Sequence, residues 1–366
     1  MGIHHITAIA GEPQRNFDFY AGTLGLRLVK LTVNYDDPST YHLYYGDELG
    51  RPGSLLTFFP WPHGRRGRQG TGQAGTVSFA IPSASLGFWI ERLLSQGIKY
   101  TGPARRFEEP VLSFTDPDGL LLELVATPQA NGIAPWGDGP VAAEHAIRGL
   151  HGTTLWEDSD TGTAEFLVGD LGFQAAGEEG GLIRFQSSGP GLGQVVNLRR
   201  APGFWGGVDG VGTIHHVAFR AASEQEQLDK RAEIEARGME ITPVIDRQYF
   251  RSVYFREPGG VLFEIATDGP GFTTDEPAAE LGARLMLPPA YEPRRKEIEA
   301  ALPPLQLRFG LSSLTPFAGI SHWLTYRYGG GIRGVWRRPF LSLAGCAPDA
   351  PAMRVEEICD ASCCRP

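Results

Sequence analysis

The sequence predicts an α+β protein made of four βαβββ modules paired into two curved mixed sheets. Three observations carry this expectation. The order strand, helix, several strands recurs four times along the chain. The His-His strand of IHHIT at 3 to 7 returns in TIHHVAF at 213 to 219, although nine histidines in 366 residues predict only about 0.2 such pairs by composition. The turn Asp116-Pro117-Asp118-Gly119 returns as Glu257-Pro258-Gly259-Gly260. Repeats of this length cannot bury their apolar face alone, so each must pair with another.

Taken in order, module one predicts a strand over Ile3 to Ala10, a helix around Asn16 to Leu24, and strands near Arg27 to Val33, Thr40 to Tyr45 and Ser54 to Phe59. Pro62 to Gly75, rich in Gly, Arg and Gln, breaks all periodicity and is expected to be a connector. Module two restarts as GTVSFAIP, with an amphipathic helix from Ser85 to Gln96 and a closing strand in FTDPDGLLLELVAT. Module three runs LHGTTLWED, a helix around Gly162 to Leu171, then GLIRFQ and QVVNLRR. Module four opens GTIHHVAFR, carries a polar helix from Ser223 to Gly238, and closes SVYFREPGGVLFEIATD. The expected domains are 1–127 with modules one and two, a Pro-Gly-Trp-rich linker at 128–145, and 146–268 with modules three and four. A segment with a helix follows at 269–309, with Gly271-Phe272 placed over one edge of the pocket. From 310 to 366 no period persists, and this stretch is expected to be an unpacked tail.

The composition, 42% hydrophobic and 20% charged, is that of a globular protein long enough for two cores. A formal net charge of −9 argues against nucleic acid, which needs a basic footprint, and favours a small-molecule partner. No apolar run reaches the length of a membrane span, and the first strand starts at once, leaving no room for a signal peptide. Met1-Gly2 fits a myristoylation start except that Ile6 stands where Ser or Thr is required. All four cysteines, Cys346, Cys359, Cys363 and Cys364, lie in the tail, where the last three form a candidate metal clip, so the body is cysteine-free. The expected location is the cytoplasm. Oligomeric state is left open, a homo-oligomer included.

Aligning the modules by first and last strand gives two ligand positions. The first holds His5, Ser78, Gly152 and His216 in modules one to four, and the second holds Thr57, Glu123, Asn197 and Glu264. A lone strand histidine or glutamate is usually a satisfied core imidazole or a surface carboxylate; repetition at matching places favours ligation here. If modules one and four share a sheet, His5, His216 and Glu264 converge inside it, because alternate side chains share a face. His4 and His215 then point to the opposite face unless a bulge turns them. Modules two and three supply only Glu123, so no metal is expected there.

The IHHIT and TIHHVAF strands, and DRQYFRSVYFREPGGVLFEIATD at 246 to 268, resemble the vicinal oxygen chelate superfamily (glyoxalase, bleomycin resistance and extradiol dioxygenase proteins) over about residues 1 to 310. Within it they resemble the dioxygenases that open the ring of para-hydroquinones. The resemblance implies the vicinal oxygen chelate fold, and Fe(II) bound by His5, His216 and Glu264, with Mn(II) the alternative ion. It implies supporting roles beside the metal for His4, Thr7, His215, Arg247 and Tyr254. Taken alone, Tyr254 is better read as a strand tyrosine with its hydroxyl in solvent, while Arg247 is equally a surface cation near Asp246, and His4 and His215 equally strand packing.

Two imidazoles and a carboxylate on one face of a metal leave positions for substrate and O₂ side by side. A para-hydroquinone reaches the ion through one hydroxyl only, so other groups must orient the ring and manage protons. Cleavage beside that hydroxyl gives a linear unsaturated acid, or an acyl halide that hydrolyses if the neighbouring carbon bears halogen. A glyoxalase-type isomerase would want a fourth ligand where Thr57 stands. A metal-free, drug-sequestering protein would have no reason to keep three ligand types in corresponding positions.

Overall fold

The computed structural model describes residues 1–307, so the expectation for 310–366 lies outside the described residues. Module one comprises β1 (Ile3–Ala10), α1 (Pro13–Phe17), β2 (Arg27–Val33), β3 (Tyr41–Gly46) and β4 (Leu55–Pro60). Module two comprises β5 (Gln73–Pro82), α2 (Leu86–Ser95), β6 (Tyr100–Arg106), β7 (Glu109–Thr115) and β8 (Leu121–Thr127). Module three comprises β9 (Gly149–Glu157), α3 (Thr161–Gly169), β10 (Gln174–Glu179), β11 (Leu182–Gln186) and β12 (Val195–Arg200). Module four comprises β13 (Ile214–Ala221), α4 (Glu224–Ala236), β14 (Ile245–Asp246), β15 (Phe250–Arg256) and β16 (Leu262–Pro270), and α5 (Arg295–Ala301) follows.

Two eight-stranded mixed sheets result, in the orders β14-β15-β16-β13-β1-β4-β3-β2 and β10-β11-β12-β9-β5-β8-β7-β6. Module one pairs with module four, and module two with module three. Each sheet therefore takes one module from either side of the linker at 128–145. Within a module the first and last strands run parallel, as β1 with β4 and β13 with β16, while the modules meet through antiparallel first strands, β1 with β13 and β5 with β9. Every residue of β1 is buried because one face meets the core and the other lines the concavity of its sheet.

Local chemistry explains the element ends. Pro13 starts α1 three residues earlier than its apolar pattern suggests, since proline suits a first helical turn, and the helix continues as a π-helical turn over Asp18–Thr23. Ser223 caps α4 by accepting from the Glu226 amide. Trp89 of α2 is fully buried and donates to the His145 carbonyl at 2.9 Å, which ties the linker to the second module. The 62–75 stretch is more than a connector. Arg66, Arg68 and Thr71 form bridges to Val211, Val208 and Gly206, and a Cβ on Gly70 would collide with the Trp205 carbonyl.

The 271–287 segment packs along β2. Lys30, fully buried, donates to the Phe272 carbonyl at 3.2 Å and to Asp275 at 2.6 Å, and pairs with Glu276. Met286 N–H donates to the Leu31 carbonyl. Phe272 is thereby seated 5.2 Å from Tyr44 and 5.0 Å from Tyr249, ring centre to ring centre.

Register corrects one sequence alignment. His5 pairs with Ala218 and Thr7 with His216; in the other sheet Thr76 pairs with Thr154 and Ser78 with Gly152. Thr57 and Glu264 lie opposite Thr7 and Ala218, and Glu123 lies opposite Ser78. The module-two counterpart of His5 is therefore Thr76, and Ser78 corresponds to Thr7. A shift of two residues preserves the inward face of a strand, so alternation alone could not expose it.

Candidate metal centre

Two cross-strand rows build the site. One runs Leu55, His5, Ala218, Glu264, Tyr254 across β4, β1, β13, β16 and β15; the next runs Tyr44, Thr57, Thr7, His216 across β3, β4, β1 and β13. The rows bring His5, His216 and Glu264 together, all buried, with ligand atoms within 4.8 Å of one another. His216 Nε2 lies 2.9 Å and His5 Nε2 3.3 Å from Glu264 Oε2, and the two Nε2 atoms are 3.3 Å apart. Glu264 Oε2 has no hydrogen-bond partner although the residue is fully buried. A buried carboxylate oxygen left in this way is costly unless a cation supplies what hydrogen bonds do not.

The electrostatics fit a cation. Burial pushes the Glu264 carboxyl up, but the adjacent His5 and His216 imidazoles outweigh it and hold the group well below the usual carboxylate range. Burial lowers His216, keeping its imidazole neutral with a lone pair to give.

Two bulges place the neighbouring histidines. β1 carries one extra residue, His4, between the Ile3 and His5 pairings, and β13 carries one extra residue, His215, opposite the Thr7–Ala8 step. Neither points away from the pocket. His4 Nδ1 lies 2.9 Å from His5 Nδ1, and His215 Nδ1 lies 2.8 Å from His216 Nδ1. One proton between each pair satisfies both rings; carried on the inner imidazole, it leaves Nε2 free to bind a metal. Burial drives both outer histidines down to about 3.

On the far side, Tyr254 is buried beside His216 at 5.7 Å between ring centres. Its hydroxyl accepts from Arg247 Nε at 3.3 Å, and Arg247 Nη1 pairs with Asp36 at 3.0 Å, so Arg247 is no surface cation held by Asp246. Burial, then the charge of Glu264, raises the Tyr254 phenol and keeps it a proton donor. Thr7 shares a 2.8 Å hydrogen bond with Thr57.

Three groups escaped the sequence reading. Ser252 donates to Glu264 Oε1 at 2.5 Å. His42 Nε2 lies 2.9 Å from Thr57 Oγ1, and its Nδ1 lies 2.8 Å from the Tyr44 hydroxyl. The alternation of His42 and Tyr44 in YHLYYG, two residues apart on one strand face, was the available signal.

In the second sheet Thr76 and Gly152 stand in the places of His5 and His216, and the carboxylates are held by arginines. Glu123 pairs with Arg106 at 2.5 Å and accepts from Ser78 at 2.7 Å, while Glu109 pairs with Arg184 at 2.8 Å and His151 at 3.1 Å. Gly75 and His151 are its bulge residues, the counterparts of His4 and His215.

Comparison with known proteins agrees with this architecture. The family model described as "Glyoxalase/Bleomycin resistance protein/Dioxygenase superfamily" matches residues 2–124 and 150–265. "Putative ring-cleaving dioxygenase MhqO" of Bacillus subtilis (strain 168) is 47% identical over 84% of this chain and 97% of its own length. "Chlorohydroquinone/hydroquinone 1,2-dioxygenase" of Sphingobium indicum is 35% identical over 81% of this chain and 94% of its own. The crystal structure of "putative dioxygenase from Bacillus subtilis subsp. subtilis str. 168" superposes with a TM-score of 0.81 at 48% identity, covering 84% of this chain and 98% of that one. Glyoxalase I from Zea mays, at a TM-score of 0.54 and 14% identity, shares the fold alone. With its histidine-paired first strands and its two eight-stranded sheets, the chain belongs to the glyoxalase/bleomycin resistance protein/dioxygenase superfamily, and within it to the ring-cleaving dioxygenases.

Proposed function

We propose that this chain is a non-haem Fe(II)-dependent dioxygenase that opens the ring of a hydroquinone-type substrate, halogenated or not, with O₂. The observation that carries the reading is the convergence of His5 Nε2, His216 Nε2 and the partnerless Glu264 Oε2. His5, His216 and Glu264 would hold Fe(II), with Mn(II) as the alternative, and the ion would supply electron transfer between substrate and O₂. The hydroquinone name of one relative supports the substrate class.

The chain's own groups do the positioning. His4 and His215 orient the ligand imidazoles through their Nδ1 contacts. Tyr254, beside His216, would donate a hydrogen bond to a substrate oxygen, and Arg247, fixed by Asp36 and Tyr254, would offset negative charge as the phenol ionises. Thr57 argues against a glyoxalase-type isomerase. It stands where a fourth ligand would be needed, and its hydroxyl is already engaged with Thr7 and His42. No helix among the described residues is long and apolar enough to cross a membrane, and the cysteine-free body suits the reducing cytoplasm.

Metal analysis of untagged protein, with O₂ uptake on hydroquinone and on catechol, tests the reading. Iron-dependent uptake favouring hydroquinone is expected. Uptake on catechol alone, or none with any metal, would overturn it.

A further inference from the structure

The ligand set and its flanking histidines leave one chemical demand unmet. A phenol that binds a cation must lose its proton, and His4 and His215 have their Nδ1 atoms occupied in holding the ligands. Tyr254, with its raised phenol, is a donor and no base. The receiving group has to lie elsewhere in the concavity.

A continuous hydrogen-bonded chain leads out of the site on the module-one side. Thr7 stands two residues from His5 on the same strand face and opposite His216 in register. Its hydroxyl contacts Thr57 Oγ1 at 2.8 Å, Thr57 Oγ1 contacts His42 Nε2 at 2.9 Å, and His42 Nδ1 contacts the Tyr44 hydroxyl at 2.8 Å. Thr7 and Thr57 are wholly buried and Tyr44 is 2% exposed. His42 is further fixed between Tyr44 and Phe59, at 4.0 and 4.3 Å between ring centres. We propose that Thr7, Thr57, His42 and Tyr44 form a proton relay, with His42 the base that receives the hydroxyl proton of a bound phenolic substrate. The phenol's identity rests on the ring-cleaving reading above; the relay itself rests on the chain of contacts.

The step balances without any other reactant. Tyr44 accepts from His42 Nδ1–H, which leaves Nε2 as the acceptor facing Thr57. The substrate hydroxyl passes its proton to Thr7 Oγ1 as Thr7 passes its own to Thr57 and Thr57 passes its own to His42 Nε2. Substrate becomes phenolate, His42 becomes imidazolium, and both threonines end unchanged. Burial holds His42 well below its ordinary value, so it begins as a vacant base. The charged and titratable groups around it are Tyr44 of its own strand, His5 of β1, His216 of β13, Arg247 before β15 and Glu264 of β16. The new phenolate offsets the imidazolium.

The test uses full-length, metal-loaded protein and 4-nitrophenol, whose absorbance separates phenol from phenolate. Ionisation of the bound probe is followed against pH beside the pH profile of kcat for hydroquinone-dependent O₂ uptake. Thr57→Val and His42→Gln should raise the bound probe's ionisation midpoint by at least about one unit and lower kcat at least about tenfold, with unchanged metal content. Thr57→Ser, which keeps the hydroxyl, should stay within about twofold of the parent. An unchanged midpoint in Thr57→Val would overturn the relay, and because valine matches threonine in shape this arm does not depend on how His42→Gln folds. If the parent consumes no O₂ with hydroquinone yet the midpoint shifts persist, the ring-cleaving reading falls and the relay stands. Normal O₂ uptake with insensitive midpoints gives the reverse.

Discussion

Ser252 Oγ donates a 2.5 Å hydrogen bond to Glu264 Oε1, and this bond decides which carboxylate oxygen faces the two imidazoles. With Oε1 held, Oε2 is presented to His5 and His216 in a fixed orientation. Groups that orient a ligand typically contribute about 10- to 100-fold to metal affinity. Ser252→Ala should therefore bind metal about tenfold more weakly in a competitive chelator titration while keeping its fold. An unchanged affinity would show that the β16 backbone alone fixes the carboxylate.

Single alanine variants of His5, His216 and Glu264 should each lose most of the metal. Glu264→Ala is the most informative of the three, because it removes the one anion among the ligands. Full metal occupancy in that variant, measured by elemental analysis, would dismiss the assignment.

Tyr254 and Arg247 should separate from the ligands by kinetics. Tyr254→Phe removes one hydroxyl and keeps the ring, so metal content should hold while kcat/KM falls at least about tenfold. Arg247→Ala should raise KM as well, since it releases both Asp36 and Tyr254. His215→Ala differs, because its Nδ1 contact with His216 makes metal affinity the affected quantity. Steady-state O₂ uptake that is indifferent to Tyr254→Phe would end the case for that phenol.

The candidate ligands stand out in the sequence because repetition marks equivalent positions: His-His recurs, and Ile-His precedes both His5 and His216. The two rows explain why pairing modules one and four sufficed to bring Glu264 to them. What stayed hidden depends on register. The bulges that turn His4 and His215 inward come from one extra residue on each strand, which no periodicity announces. Ser78 and Thr76 lie on one face, so the module-two alignment could slip by two without penalty. Ser252 and His42 become visible only when β15 and β3 are laid beside their partners.

Modules two and three should carry no part of the chemistry. Glu123→Gln takes the charge from a pair with Arg106 and leaves metal and turnover intact, at an expected stability loss of about 1–3 kcal/mol in denaturant unfolding. Loss of metal in this variant would contradict the pairing of ligands across modules one and four.

A pair of glutamates, one from module three and one from module four, holds a separate pH dependence. Glu157, at the end of β9, is fully buried with both carboxyl oxygens unpartnered, and it faces Glu257 in the turn after β15. Glu257 is satisfied by the Thr163 hydroxyl at 2.7 Å and the Val261 amide at 2.9 Å, so it is the better placed of the two to remain ionised. Burial and then the charge of Glu257 push Glu157 from 4.5 up to about 8. A group whose folded value lies above its unfolded value stabilises fully below the unfolded one and loses that contribution as pH rises through the folded one. Stability should thus decline from above pH 4.5 until about pH 8 and then level off. Each pKa unit corresponds to about 1.4 kcal/mol, or about 3–6 °C in Tm at about 2–4 °C per kcal/mol. Glu157→Gln keeps the shape and cannot ionise, so its Tm should exceed that of the parent at about pH 9 and depend less on pH across this window. Calorimetry from acid to alkaline pH decides it, because parallel curves for the two proteins would place the titration on some other group.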